Sequence, residues 1–83
     1  MDYNVHTPSQ LATAVKSRRK IRKLTQQEVA GRVGLLPKTV SALENNPNTS
    51  SVDSLFKLLA ALDLELVVRT KDEAAGSGGR GEW

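Results

Sequence analysis

Residues 24–46 read LTQQEVAGRVGLLPKTVSALENN, and this stretch decides the fold. Thr25 and Glu28 have the spacing of a capping box, in which two side chains satisfy free backbone N–H groups at a helix start. Gly34 follows the short apolar run and is suited to a left-handed helix stop. Pro37 can occupy the first position of a second helix, which the sequence NNP at 45–47 ends. We therefore predict two short helices, over 26–33 and 37–45, joined by a tight turn.

One further helix is predicted on each side of this pair. Thr7 can cap a helix that begins at Pro8, with Gln10 completing its capping box, and that runs to about Arg22. Two short helices around a glycine-containing turn, between a basic helix and an apolar one, match the helix-turn-helix arrangement. The predicted class is all-α, with four to five helices. Ser50 or Ser51 can cap the last helix, and its apolar residues are the expected centre of the core: Val52, Leu55, Phe56, Leu58, Leu59 and Leu62.

Size and composition exclude several classes of protein. A chain of 83 residues forms one small core, and its 39% hydrophobic and 25% charged residues are typical of a folded globular protein. It has neither an apolar run long enough to span a membrane nor the pattern of a secretion signal, so we expect a cytoplasmic, nucleoid-associated protein. Because it has no cysteine and a single histidine, His6, we expect no metal, no cofactor and no enzyme activity.

The charge of the chain is unevenly distributed. The window from Lys16 to Thr39 contains eight basic residues and one acid, Glu28, so that it carries +7 and the rest of the chain −4. Clustered Lys and Arg side chains release condensed counterions from a phosphate backbone, which favours a polyanionic partner such as double-stranded DNA. A solvated helix face that binds nothing would have the same composition, and charge alone does not separate the two.

A short run of β-type residues follows the last helix. Residues 64–70 are the one strand candidate, and a lone strand needs the backbone groups of another strand. Pairing with the same segment of a second copy would give an intermolecular β-ribbon in a homodimer. A coil, or an extension of the last helix packed on its own chain, is the alternative. The residues expected to form the dimer contact are Leu64, Leu66, Val67 and Val68.

Four segments follow from these patterns. Residues 1–6 are an N-terminal extension, 7–63 the helix-turn-helix domain, 64–70 the dimerisation strand and 71–83 a tail with the composition of a flexible linker. Trp83 is the only tryptophan and lies twelve mostly small or polar residues beyond the strand. A tethered tryptophan suits a pocket on a partner, because buried aromatic residues often dominate binding energies. An appended segment without function is the alternative.

The string Leu-Thr-Gln-x-Glu-Val-Ala at 24–30, with Gly34 and a later Val-Ser and Glu44, resembles the Xre and phage-repressor type of helix-turn-helix domain. The resemblance implies that Gln26 holds a DNA phosphate and braces the recognition helix. It also implies an ion pair between Arg19 and Glu44 that sets the angle of that helix. The full set of residues expected to contact DNA is Gln26, Gln27, Lys38, Thr39, Ser41, Ala42 and Asn45.

The chain departs from this pattern at the start of the recognition helix. Where relatives often have a polar cap and a glutamine that reads a base, this sequence has Leu36 and Pro37. Proline has neither a side-chain nor a backbone donor, so direct reading of adenine at this point is lost. We expect Lys38 to carry more of the base recognition.

The layout of the whole chain resembles the HipB antitoxin family of HipA/HipB toxin–antitoxin modules. The resemblance rests on the Thr-Pro-Ser-Gln-Leu-Ala start, the sequence ENNP at 44–47, the apolar last helix, the short strand and the Glu-Trp end. It implies a homodimer that binds palindromic operators of its own operon and a HipA-type serine/threonine kinase toxin into which Trp83 inserts. The alternatives are a stand-alone repressor without a toxin and an adaptor that has lost DNA recognition.

Overall fold

The computed structural model describes residues 3–70, which form four α-helices and one turn of 3₁₀ helix. Helix α1 spans Pro8–Ile21, α2 spans Gln26–Val33, α3 spans Pro37–Asn45 and α4 spans Val52–Ala61. The 3₁₀ turn, Pro47–Thr49, links α3 to α4. The predicted all-helical class is confirmed, and the bounds of α2 and α3 are those that the capping signals predict.

Side-chain caps mark the starts of α1, α2 and α4. The Thr7 hydroxyl accepts from the backbone N–H of Gln10 at the start of α1, and Pro8 occupies the first turn. The predicted capping box at this helix is wrong in one detail, because the Gln10 side chain accepts from the N–H of His6 rather than of Thr7. At α2 the capping box is complete, with distances of 3.0 Å from Glu28 N to the Thr25 hydroxyl and 2.8 Å for the reciprocal bond.

Residues in the left-handed conformation end three of the helices. Gly34 has φ 74° after α2, and the N–H of the next residue, Leu35, donates to the carbonyl of Ala30 at 2.9 Å. Lys23 after α1 and Asp63 after α4 have φ values of 59° and 58°, although neither is glycine. The same six-to-one hydrogen bond closes these two ends. The turn between α2 and α3 therefore has the same backbone geometry as the turns after α1 and α4.

Replacing Gly34 with alanine is expected to lower the free energy of unfolding by about 1 kcal/mol, because the left-handed conformation strains any residue with a Cβ. A Cβ at Gly34 would meet no atom within 4 Å, so conformational strain is the whole effect. Gly31 is the matched control: it lies inside α2, also with open space around its Cβ, and Gly31→Ala should stabilise by about 1 kcal/mol. Chemical denaturation measures the free energy of unfolding of both variants. If both substitutions changed it in the same direction, the left-handed stop assigned to Gly34 would be contradicted.

The core forms among the four helices, with α2 packed against both α3 and α4 and α1 packed against α3. The largest completely buried side chains come from all four helices: Val15, Val29, Val40, Leu58 and Leu62. The prediction that α4 supplies the centre of the core is correct for its leucines at 58, 59 and 62. It is wrong for Val52 and Phe56, which are 65% and 50% exposed. A single helix turns only one side to its own core, and these two residues lie outside that side.

Two contacts tie the end of α4 to the end of α1. The Arg18 Nε donates to the carbonyl of Leu62 at 3.2 Å, and Arg22 forms an ion pair with Asp63. These contacts hold the chain where it leaves the helical domain. They therefore set the direction in which residues 64–70 depart.

The predicted strand is absent from the described part of the single chain. Residues 64–70 have no regular secondary structure, since no other described segment offers a ladder of backbone partners. Leu64 is half-buried and packs against the chain's own core, whereas Leu66, Val67 and Val68 are exposed. The alternative of a continued helix is also not realised, because α4 ends at Ala61.

Within residues 3–70, no helix combines the length and the apolar character needed to cross a bilayer. Trp83 and the rest of 71–83 lie outside the described residues.

Candidate nucleic-acid interface

Helix α3 has one buried side and one outward side. Val40 and Leu43 are buried in the core, and this anchors the helix against α2. The residues between them in the helical repeat face away from the core. The sequence-predicted residues of α3 all lie on this outward side, where Lys38 and Asn45 are exposed and Thr39, Ser41 and Ala42 are half-buried.

Hydrogen bonds orient the polar end of this side. The Asn45 amide nitrogen donates to the carbonyl oxygen of Ser41 at 2.9 Å and to its hydroxyl at 3.2 Å. The Ser41 hydroxyl can therefore direct its own proton outward, and the Asn45 amide oxygen can accept. The pair thus presents a hydroxyl donor, which a base edge or a phosphate can accept, and an amide acceptor, which a base edge can use.

A buried ion pair joins α3 to α1. Arg19 of α1 donates to both carboxylate oxygens of Glu44, at 2.6 Å from Nε and 3.1 Å from Nη2. Gln26, the first residue of α2, donates to Glu44 Oε1 at 3.0 Å. A further bond from Arg19 Nη1 to the carbonyl of Leu24 measures 2.8 Å. One carboxylate is thus shared by three helices, and the Arg19–Glu44 pair that the resemblance implies is present.

The environment of Glu44 has opposing effects on its pKa. Its side chain is 0% exposed, and burial alone would raise the pKa of the carboxyl group. The hydrogen bonds from Arg19 and Gln26 and the positive charge of Arg19 outweigh burial, so the pKa is lowered. The hydrogen bond to Glu44 correspondingly raises the pKa of Arg19. The pair is therefore charged throughout the neutral range.

An open concavity of about 690 Å³ lies beside the start of α3. Its wall combines three cations from the end of α1 with the first turn of α2 and the first residue of α3. Lys20 and Lys23 are exposed there, while the Arg19 guanidinium is held by Glu44. The lining residues are Arg19, Lys20, Lys23, Leu24, Thr25, Gln26, Gln27 and Pro37.

This arrangement brings together most of the residues that the sequence singles out. Gln26 and Gln27 line the concavity, and the outward side of α3 continues from it through Pro37. In the sequence, Lys20 and Lys23 are only part of the basic window, because their position on this wall depends on where α1 ends, which composition does not show. The sequence identifies Leu36 only as a missing polar cap. We name the concavity and the outward side of α3 together the basic face.

Among residues 3–70, no group of three or more His, Cys, Asp or Glu side chains could hold a metal ion. The basic face offers hydrogen-bond donors and positive charge on a protruding helix beside a shallow concavity. It is suited to binding a polyanion.

The fold and this face define a helix-turn-helix protein, and the helix-turn-helix family model matches residues 15–68. Two curated relatives are named Antitoxin HipB. The protein from Escherichia coli O6:H1 is 38% identical over 64 residues, which cover 77% of this chain and 68% of the relative. The protein from Escherichia coli K12 is 36% identical over 64 residues, 77% of this chain and 73% of the relative. The chain belongs to the HipB antitoxin family of helix-turn-helix proteins, a family of regulators and not of enzymes.

Solved structures give the same result for the fold. A HipB variant in an O2 20mer complex superimposes with a TM-score of 0.81 at 33% identity, covering 84% of this chain and 97% of that one. The HipA-HipB-O2-O3 complex gives a TM-score of 0.78 at 34% identity, covering 81% and 94%. The HipB-O4 20mer complex gives the same values.

Proposed function

We propose that this protein is a DNA-binding antitoxin that represses its own operon as a homodimer and neutralises a HipA-type serine/threonine kinase toxin. The observation that carries the DNA-binding part is the basic face, in which an outward helix with fixed polar groups continues into a hollow lined by cations. The toxin-binding part rests on membership of the family and on a solved relative that contains HipA, HipB and O2-O3 together. Such a protein acts in the cytoplasm, at the nucleoid.

The proposed contacts follow from the chemistry of each side chain. The ammonium of Lys38 can donate to the O6 and N7 of guanine, and Ser41 can donate to a base or a phosphate. The methyl groups of Ala42 and Thr39 can contact the methyl group of thymine. Gln27 and Asn45 stand at the two ends of the face, where phosphates flank the major groove. Gln26 keeps a second amide proton for a phosphate while its first binds Glu44.

Dimerisation is supported by the apolar residues that the single chain leaves uncovered. Phe56 of α4 is half exposed, and the segment that follows the helix exposes Leu66, Val67 and Val68. Covering them with the same residues of a second copy removes apolar surface from water and supplies the missing strand partner. The two recognition helices of such a dimer would read half-sites about 34 Å apart on one side of the duplex.

Binding to the promoter DNA of its own operon is the test of this function. We expect an affinity that falls steeply with salt concentration. Lys38→Ala should lower the affinity for the preferred duplex about 10- to 100-fold and the affinity for scrambled DNA only a little. Lys57→Ala, which removes the same charge from α4 beside Asp53, is the matched control. Titration by fluorescence anisotropy measures both. Salt-independent binding, or no binding, would favour the alternative that the protein is an adaptor that has lost DNA recognition.

Deletion of Trp83 is expected to weaken capture of the kinase at least about tenfold, because a buried aromatic anchor often dominates an interface. DNA affinity should stay unchanged, since the tail lies beyond the helix-turn-helix domain in the sequence. Calorimetry with the purified kinase and anisotropy with the operator measure the two affinities. Equal loss of both would contradict the anchor, and a conservative Trp83→Phe should retain part of the kinase affinity.

A further inference from the structure

The first residues of the recognition helix form an exposed apolar edge. Leu36 is 59% exposed at the N-cap of α3, and Pro37, the next residue, is also exposed. The N-cap is a position where serine, threonine, aspartate or asparagine is preferred, because their side chains bind the free N–H groups of the first turn. Leucine forgoes that bond and leaves a large apolar side chain in solvent, so this residue type is not explained by the stability of the helix.

The surroundings of this edge indicate what covers it. Pro37 lines the same concavity as Lys20 and Lys23, and Lys38 follows directly on the helix. An apolar edge framed by cations is complementary to a surface that carries phosphates on its flanks and apolar groups in its centre. The major groove of double-stranded DNA has this composition, because each thymine places its 5-methyl group there.

The side chains of this edge offer no polar readout. Pro37 has no N–H group, and the Leu36 side chain has no donor or acceptor. The carbonyl of Leu36 already accepts from the N–H of Thr39 at 2.9 Å and from that of Val40 at 3.3 Å. What the edge offers to a base pair is van der Waals contact.

We propose that Leu36 and Pro37 read the 5-methyl group of thymine in each half-site of the operator. The proposal rests on the proposed DNA-binding function and adds to it a specificity determinant. A thymine is distinguished from uracil by the 5-methyl group alone, which this edge covers; cytosine lacks that methyl group and also has an amino group in place of the O4 of thymine. The same edge accepts 5-methylcytosine, which carries its methyl group at the same place in the groove.

The experiment compares thymine with uracil in otherwise identical duplexes. Sites are first selected by the wild-type protein from a randomised pool, and each thymine of the consensus is then replaced by uracil. We expect one thymine per half-site whose sensitivity depends on Leu36, apart from any thymine that Thr39 or Ala42 contacts. Its replacement should lower the affinity about fourfold for one methyl group and more than tenfold when both half-sites are changed. Cytosine at that position should bind weakly, and 5-methylcytosine should restore part of the affinity.

The variant that tests the edge is Leu36→Ser, since serine is a favourable N-cap and the variant should fold at least as stably as the wild type. At the thymine position that depends on Leu36, this variant should bind the thymine and uracil duplexes with equal affinity. Val5→Ser, at an exposed apolar residue of the N-terminal segment, should keep the preference for thymine. Thermal unfolding of both variants accompanies the titrations.

Three results would overturn the proposal. If the wild type binds duplex DNA with a steep salt dependence but does not distinguish thymine from uracil, the edge does not read methyl groups and the DNA-binding function stands. If it binds no duplex, the proposed function fails together with this inference. A Leu36→Ser variant that loses kinase capture and keeps the thymine preference would also overturn it, because the edge would then be a protein contact.

Discussion

Replacing Glu44 with alanine is expected to lower the free energy of unfolding by about 3 kcal/mol, the lower end of the cost of breaking a buried ion pair. The substitution leaves the Arg19 guanidinium, which is 12% exposed, with the Leu24 carbonyl as a remaining acceptor. It also frees the Gln26 amide that binds the same carboxylate. Chemical denaturation followed by circular dichroism measures the change.

The matched control is the exposed ion pair of Lys57 with Asp53 on α4, in which both side chains are largely in solvent. Lys57→Ala should change stability by no more than about 0.5 kcal/mol. Arg19→Ala should be at least as damaging as Glu44→Ala, since it leaves a completely buried carboxylate unpaired, and the double variant should cost less than the sum. A Glu44→Ala effect as small as that of Lys57→Ala would contradict the role assigned to this pair.

The same residue makes part of the stability dependent on pH. The pKa of Glu44 is lowered in the folded state, so the charged form stabilises the fold above the unfolded value of about 4.3. That contribution is lost as pH falls through the lower folded pKa. The stability difference between wild type and Glu44→Gln should therefore shrink on acidification, as the pH falls below the unfolded value and through the lower folded pKa. The exposed Glu28, whose pKa is lowered by its hydrogen bonds to Thr25, remains in both proteins.

Replacing Val67 with aspartate is expected to reduce operator affinity by at least about 100-fold, because the gain from linking two recognition helices disappears when the dimer dissociates. The charge would lie in the proposed dimer contact between the two copies, where no opposite charge is available to pair with it. The fold of each chain should survive, since Val67 is exposed in the single chain.

Sedimentation and anisotropy together test this expectation. Val5→Asp makes the same chemical change on the N-terminal segment and should leave the dimer intact. A Val67→Asp protein that stays dimeric would show that the dimer contact lies elsewhere. A wild type that remains monomeric at micromolar concentration would remove the dimer from the proposed function.

Local signals predict the helices well because their causes are local. The capping box at Thr25, the stop at Gly34 and the proline at 37 each act within one turn, and the bounds of α2 and α3 follow from them. Hydrophobicity is less informative about what covers a side chain. Phe56 and Leu58 are equally apolar, yet one is half exposed and the other completely buried.

The site required information that the sequence holds only indirectly. Arg19 and Glu44 are 25 residues apart, and no periodicity joins them; the pair could be expected only from the resemblance to a known family. The predicted strand would need a partner outside the single chain, and 64–70 has no regular structure in the single chain. Whether Leu36 is buried or exposed depends on the packing of α3 against α2, which no pattern in its own segment determines.

The Glu44 carboxylate joins α3 to α1 and α2 from beneath, through hydrogen bonds that involve none of the side chains at 38, 39, 41 and 42. Duplicated copies of such a gene can consequently diverge at those four positions at little cost in stability. Paralogous modules in one genome can thereby acquire separate regulatory targets and avoid cross-talk, while the scaffold beneath them is inherited unchanged.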